Sequence, residues 1–298
     1  MPISDNMTYT YKVGGHIFSV DDECSAFDEN LYHSCAPFSV DASSESVKIF
    51  AMSIVSGDKF KSLPSDFIGN FDGGSVTFSV YSLQSGGCSF TICEPSGEEC
   101  CKLVTTSDFS SSEVFLTGNC DLWNLGIKNS MMVMYAFASA GYDTLLMHSS
   151  VVMNSGKGYL FLGKSGTGKS THTRLWLNNI EGSELMNDDN PVVRVIDGTV
   201  MVYGSPWSGK TPCYKNVEAP AGAFVMLEQK PFNRISRMKV LESFAAMISS
   251  CSSIKWDKRI YDAICSTIGR ILETVPLYKL ECLPDREAAE LSSKTIMR

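Results

Sequence analysis

The chain has 298 residues, 44% of them hydrophobic, and a formal net charge of −8. That is enough length and apolar material for one large or two ordinary domains with real cores. The acidic balance argues against a surface built to coat nucleic acid or anionic lipid.

No apolar run approaches the roughly 18 residues that span a bilayer. Met1-Pro2-Ile3-Ser4-Asp5 has neither the basic nor the apolar part of an export signal. A cytoplasmic protein with no nucleic-acid and no membrane partner is expected. The 11 cysteines are an odd number without a C-x-x-C pair, so free thiols are expected rather than disulfides. Cys88, Cys93, Cys100 and Cys101 cluster, but with no neighbouring His and no metal-ligand spacing.

Residues 1–118 are rich in Ser, Thr, Val, Phe and Gly and predict a β-rich region of unknown role. Thr8–Val13 and His16–Val20 flank Gly14-Gly15, the pattern of a two-residue hairpin. Gly74–Tyr81, Cys88–Ile92 and Glu113–Leu116 are further strands. His16 and His33 are isolated and carry no evident chemistry.

Residues 119–298 are expected to form a second domain. Leu122–Ala138 is Met- and Ala-rich and predicts a mostly buried helix, its methionines serving as core. Thr144–Met153 predicts one strand, turned by Asn154–Gly158 into the strand Tyr159–Leu162. His148 lies on the first of these, where its ring can point toward the loop that leaves the second.

That loop is Gly163-Lys164-Ser165-Gly166-Thr167-Gly168-Lys169-Ser170, a full match to the phosphate-binding pattern, with Thr171 opening the helix that buries Leu175 and Trp176. The glycines permit backbone angles that turn successive N–H groups inward around phosphate oxygens at the positive end of a helix. In this pattern Lys169 reaches the β/γ-phosphates and Ser170 binds Mg²⁺. The motif therefore predicts ATP and Mg²⁺ as ligands.

One helix further on, Asp188-Asp189 stands at the end of a short apolar strand. Such a pair supplies a metal ligand and a base beside a nucleotide, or closes an acidic turn with Asn190-Pro191. Gly204-Ser205-Pro206-Trp207-Ser208-Gly209-Lys210 comes after the strand Val200–Tyr203 and suits either approach to a substrate or a turn with Trp207 packed on the core. Ala221–Gln229 is an apolar strand, and Asn233–Met238 is basic enough for a nucleotide, an acidic partner or a solvated edge. Helices at Glu242–Ser249 and Lys258–Thr274, a strand at Pro276–Cys282 and a last helix capped by Asp285 complete the chain.

From residue 122 to 282 this order of signals resembles the HPr kinase/phosphorylase-related kinases. His148, the G-x-S-G-x-G-K-S loop, Asp188-Asp189, Gly204–Lys210 and Phe224-Val225-Met226-Leu227-Glu228-Gln229 before Asn233 and Ile235 carry the resemblance. It implies an α/β (α+β) fold: a P-loop core sheet with flanking helices, like the HPr kinase catalytic domain and phosphoenolpyruvate carboxykinase, preceded by the β-rich region. It implies Asp188 as general base toward an acceptor hydroxyl and Asp189 near the metal, with His148 beside them. Gly204–Lys210 replaces the glutamate-led signature of kinases that act on HPr, and no paired Lys/His manganese site comes after the loop.

The expected activity is transfer of the γ-phosphoryl group of ATP to a hydroxyl on a protein, peptide or small molecule, with Lys210 or Arg237 offsetting charge in transit. The alternative is a nucleotide-binding regulatory or assembly protein without phosphotransfer. A homo-oligomer is implied only by analogy with the hexameric enzymes.

Overall fold

The computed structural model describes residues 7–41, 47–209 and 211–298. Main-chain contacts divide the chain into two compact units, Met1–Ser139 and Ala140–Arg298. Both mix large sheets with a few helices, as an α+β protein does.

The first unit is organised on β1 (Met7–Val13), β2 (His16–Asp22), β3 (Lys48–Ser56), β4 (Ser65–Asp72), β5 (Thr77–Leu83), β6 (Cys88–Cys93), β7 (Glu99–Thr105) and β8 (Ser111–Leu116). Among the described residues these form one eight-stranded sheet in the order β1-β2-β3-β8-β7-β6-β5-β4. The hairpin at Gly14-Gly15 forms as the sequence predicts. Val13 pairs with His16, and the two glycines take φ of 53° and 82°, a conformation that side chains resist.

A short helix, α1 (Glu29–Cys35), is capped by Asp28, and α2 (Trp123–Ala138) packs on β3, β6, β7 and β8. The sequence groups α2 with the phosphate loop, whereas the contacts place it in the first unit. The reason is burial: Met131, Met134 and Tyr135 are fully enclosed, and the Tyr135 hydroxyl donates to the Val13 carbonyl at 2.9 Å. Cys100 and Cys101 lie beneath this helix with no exposed surface, and burial pushes the Cys101 thiol up to about 12. They are free thiols, and among the described residues no group of three or more His, Cys, Asp or Glu side chains is arranged to hold a metal ion.

The second unit contains β9 (Thr144–Leu146), β10 (Ser149–Asn154), β11 (Lys157–Leu162), α3 (Lys169–Asn179), β12 (Glu184–Asp189), β13 (Val192–Ile196) and β14 (Thr199–Tyr203). It continues with β15 (Glu218–Gln229), β16 (Arg234–Arg237), α4 (Val240–Ser249), α5 (Lys258–Thr274), β17 (Leu277–Cys282) and α6 (Arg286–Ile296). The sheet runs β12-β10-β11-β15-β14-β13-β9, with β17 pairing with both β15 and β16. Since β11, β15 and β17 are parallel, their carboxyl ends share one edge, the usual place for a ligand in such sheets.

The core joins Tyr159 and Phe161 of β11, Val225 of β15 and Leu280 of β17 to Trp176 of α3 and Ala289 of α6. The Trp176 indole donates to Ser292 Oγ at 2.9 Å, and His172 Nε2 lies 3.1 Å from the same hydroxyl. Burial lowers the His172 pKa to about 4, so this imidazole sits neutral in the core. Among the described residues no helix is long and apolar enough to cross a membrane.

One predicted element is divided. The strand expected over Thr144–Met153 is interrupted at Met147-His148, opposite a matching interruption at Asn190-Pro191. The pairing of β9 with β13 ends at Leu146↔Val192 and that of β10 with β12 begins at Ser149↔Asp189, in one continuous register. Pro191 has no N–H to give the ladder. On this side Met147 N–H reaches the Pro191 carbonyl at 3.0 Å, and on the opposite edge of the strand the His148 N–H donates to the Ser250 carbonyl at 2.6 Å. The histidine is thus held in a break of the sheet.

Candidate active site

The loop after β11 has the backbone that its glycines allow. Gly163, Gly166 and Gly168 take φ of 150°, 79° and 103°, and a Cβ at Gly163 would stand 3.1 Å from that of Thr167. Thr167 closes the loop on itself, its hydroxyl donating to the Lys164 carbonyl at 2.6 Å. Gln229, at the end of β15, donates to the carbonyls of Gly166 and Thr167, each at 3.3 Å. Lys169 and Ser170 then open α3, with Thr171 exposed beside them.

Two hydrogen-bonded chains meet at this helix end. In the first, Ser170 Oγ donates to Asp188 Oδ1 at 2.9 Å, and Ser150 Oγ donates to the same oxygen. Ser150 stands directly across from Asp188 in the β10–β12 pairing, and Asp188 keeps only 4% of its surface exposed.

In the second, Lys169 Nζ lies 2.9 Å from His148 Nε2, and His148 Nδ1 lies 3.2 Å from Asp189 Oδ1. An ammonium can only donate, so with Lys169 charged the ring accepts at Nε2 and carries its proton on Nδ1, aimed at Asp189. Lys169 also donates to the Gly163 carbonyl at 2.9 Å. Burial lowers its pKa, and Asp189 and Asp188 partly restore it. The side chains of His148 and Asp189 remain 44% and 34% exposed.

Lys169, Ser170, His148, Asp188 and Asp189 therefore come together, on different segments of one unit. The loop amides and Lys169 are the groups able to hold a polyphosphate. Ser170, Asp188 and Asp189 are those able to face a cation, an incomplete set of the kind that magnesium completes with water and substrate oxygens.

The segment after β14 is structural at Trp207, which is 1% exposed. The segment clamps the end of β12: Gly209 N–H donates to the Asp188 carbonyl at 2.7 Å and Asn190 N–H to the Trp207 carbonyl at 3.3 Å. A Cβ at Gly209 would lie 2.9 Å from the Asp188 carbonyl. Lys210 lies outside the described residues. The basic stretch at 233–238 forms β16, where Arg234 pairs with Glu281 at 2.8 Å and Asn233 with Asp285 at 3.1 Å. Arg237 is exposed there.

Two contributors have contacts that the sequence does not foretell, although Gln229 closes the apolar run Phe224–Gln229 singled out above. Ser150 becomes a partner of Asp188 only through strand register, and Gln229 becomes a tether only because β15 ends beside the loop.

No family model matches the sequence. No curated protein matches it. Among solved structures the chain is similar to the HPr(Ser) kinase/phosphatase from Coxiella burnetii, at 11% identity and a TM-score of 0.30, over 51% of this chain and 93% of that one. This is a distant structural relation.

Proposed function

We propose that the second unit is an ATP-dependent phosphotransferase that moves the γ-phosphoryl group to a hydroxyl, on a serine of a protein or peptide or on a small molecule. The observation that carries this proposal is the placement of two aspartates at the helix end of a phosphate loop, one bonded to Ser170 at 2.9 Å and one reached from Lys169 through His148. Phosphoryl transfer asks of a protein mainly positioning and charge neutralisation, and these groups suit both. Bound magnesium would offset phosphate charge and polarise the group in transit.

Lys169 and the amides of residues 163–171 would hold the β/γ-phosphates. The hydroxyl oxygen of the acceptor forms its bond to the γ-phosphorus as the bond to the β–γ bridging oxygen breaks, ADP leaving with that electron pair. The acceptor proton passes to a carboxylate.

The resemblance assigns that proton to Asp188 and the metal to Asp189. A specific observation favours exchanging them: Asp188 is nearly buried and bonded to the loop hydroxyl, whereas Asp189 is the more open and is coupled to His148. We accordingly assign Asp188, with Ser170, to the metal side and Asp189, with His148, to the acceptor side.

Asp189→Asn should keep Mg-ATP affinity in calorimetry while turnover drops by about 100-fold or more. Asp188→Asn should lose the magnesium-dependent part of nucleotide affinity. The converse pattern restores the assignment that the resemblance implies. Tight Mg-ATP binding with no transfer to any acceptor, in the unmodified protein, favours a nucleotide-binding regulatory or assembly protein instead.

A further inference from the structure

A cavity of about 800 Å³ lies against the outer wall of the phosphate loop, lined by its residues Lys164–Thr167 and by the ends of β15 and β17 and one side of α4. It is not part of the carboxylate cluster. In the sheet order β12-β10-β11-β15, with β17 beyond, the loop leaves the end of β11. The aspartates stand on the β10–β12 side of the loop and the cavity on the β15–β17 side.

A nucleotide whose phosphates occupy the loop, with its terminal phosphorus toward Asp188 and Asp189, must send its other end away from them. That end meets this cavity. We propose that the cavity takes the base and ribose of the bound nucleotide, and so sets nucleotide preference.

The lining suits a flat heteroaromatic ring with polar edges. Met226 and Met238 offer polarisable thioethers, Ala245 and Ala246 keep the α4 wall free of bulk, and Glu242, Gln229 and the Glu228–Lys279 ion pair supply acceptors and donors around it. Gln229 is bonded to the loop carbonyls at 3.3 Å, so the cavity wall and the phosphate site are one continuous surface. An acceptor hydroxyl belongs on the opposite side, where the carboxylates can receive its proton.

The inference rests on the proposal that the loop binds a nucleotide, and the test separates the two. Calorimetry would compare Mg-ATP with Mg-tripolyphosphate, which carries the phosphates without the nucleoside, on the unmodified chain, on Ala245→Trp and on Met238→Glu. Ala245 is exposed, so tryptophan there projects into the cavity without entering the core.

Both variants are expected to weaken Mg-ATP about tenfold or more while tripolyphosphate affinity changes by less than about twofold, a difference of ~1.4 kcal/mol per decade. Unchanged ATP affinity in both variants, or an equal loss for the two ligands, overturns the assignment. So does a variant that binds ATP normally but raises the KM for an acceptor. Failure of the unmodified chain to bind either ligand rejects nucleotide binding itself.

Discussion

The two units bury polar side chains in opposite styles. In the first, Asp22 is 2% exposed, and its two oxygens accept the main-chain N–H groups of Cys24 and Phe27, each at 2.9 Å. In the second, Asp188 is as deeply placed, but its partners are the hydroxyls of Ser150 and Ser170. A backbone amide is fixed by the fold, whereas a hydroxyl rotates and can release its bond when a ligand arrives. Asp22 ties down a loop, whereas Asp188 is held by two hydroxyls that can rotate away.

The sharpest way to break the comparison is at Lys169. Lys169→Met should leave the second unit folded and lower turnover by about a thousandfold, on the scale of removing one preorganised donor to a transition-state charge; a variant that keeps half its activity would place the phosphates elsewhere. Next is the acid stability of the same unit.

The folded state holds His172 neutral with a pKa of about 4, while the unfolded chain has the ordinary value near 6.5. Acid therefore favours the unfolded state, which binds the proton. Stability should be unaffected above about pH 6.5 and fall on the order of 3 kcal/mol as pH drops toward 4. Denaturant titrations of His172→Asn should show a flatter profile across that window.

Asp22→Ala should cost about 2 kcal/mol of first-unit stability, since two charge-assisted bonds to the main chain disappear, and should leave Mg-ATP affinity within about twofold. Asp188→Asn should do the reverse, altering nucleotide binding with little loss of stability, because a buried charge becomes neutral. If Asp22→Ala instead weakened ATP binding, the division of labour between the units would fail. The smallest effect is expected at Ser150. Its replacement by Ala should weaken Mg-ATP affinity about tenfold or less in calorimetry through loss of one donor to Asp188, with Thr restoring most of it.

What the sequence makes legible is local. The Gly14-Gly15 hairpin, α5 over Lys258–Thr274 and the Asp285 cap of α6 match their patterns, because turn and cap chemistry acts over a few residues. The glycine turn over 163–168 and the start of α3 at Lys169 are legible for the same reason.

The remainder depends on pairing across distance. That Ser150 faces Asp188 requires β10 to lie between β11 and β12, and nothing in the intervening chain states that order. The interruption at Met147-His148 lies opposite Asn190-Pro191, distant in sequence but adjacent in the sheet. Proximity along the chain groups helix α2 with the phosphate loop, while its apolar side is committed to β3, β7 and β8.

The bond from the His148 amide to the Ser250 carbonyl, at 2.6 Å, has a mechanical consequence. Ser250 directly succeeds α4, and α4 forms one wall of the cavity beside the loop. The helix is in effect a lever with the imidazole at its far end. A displacement of α4 would therefore be felt at the main chain that carries the imidazole between Lys169 and Asp189. Repacking that helix is a way to reach the histidine without altering any residue that touches it.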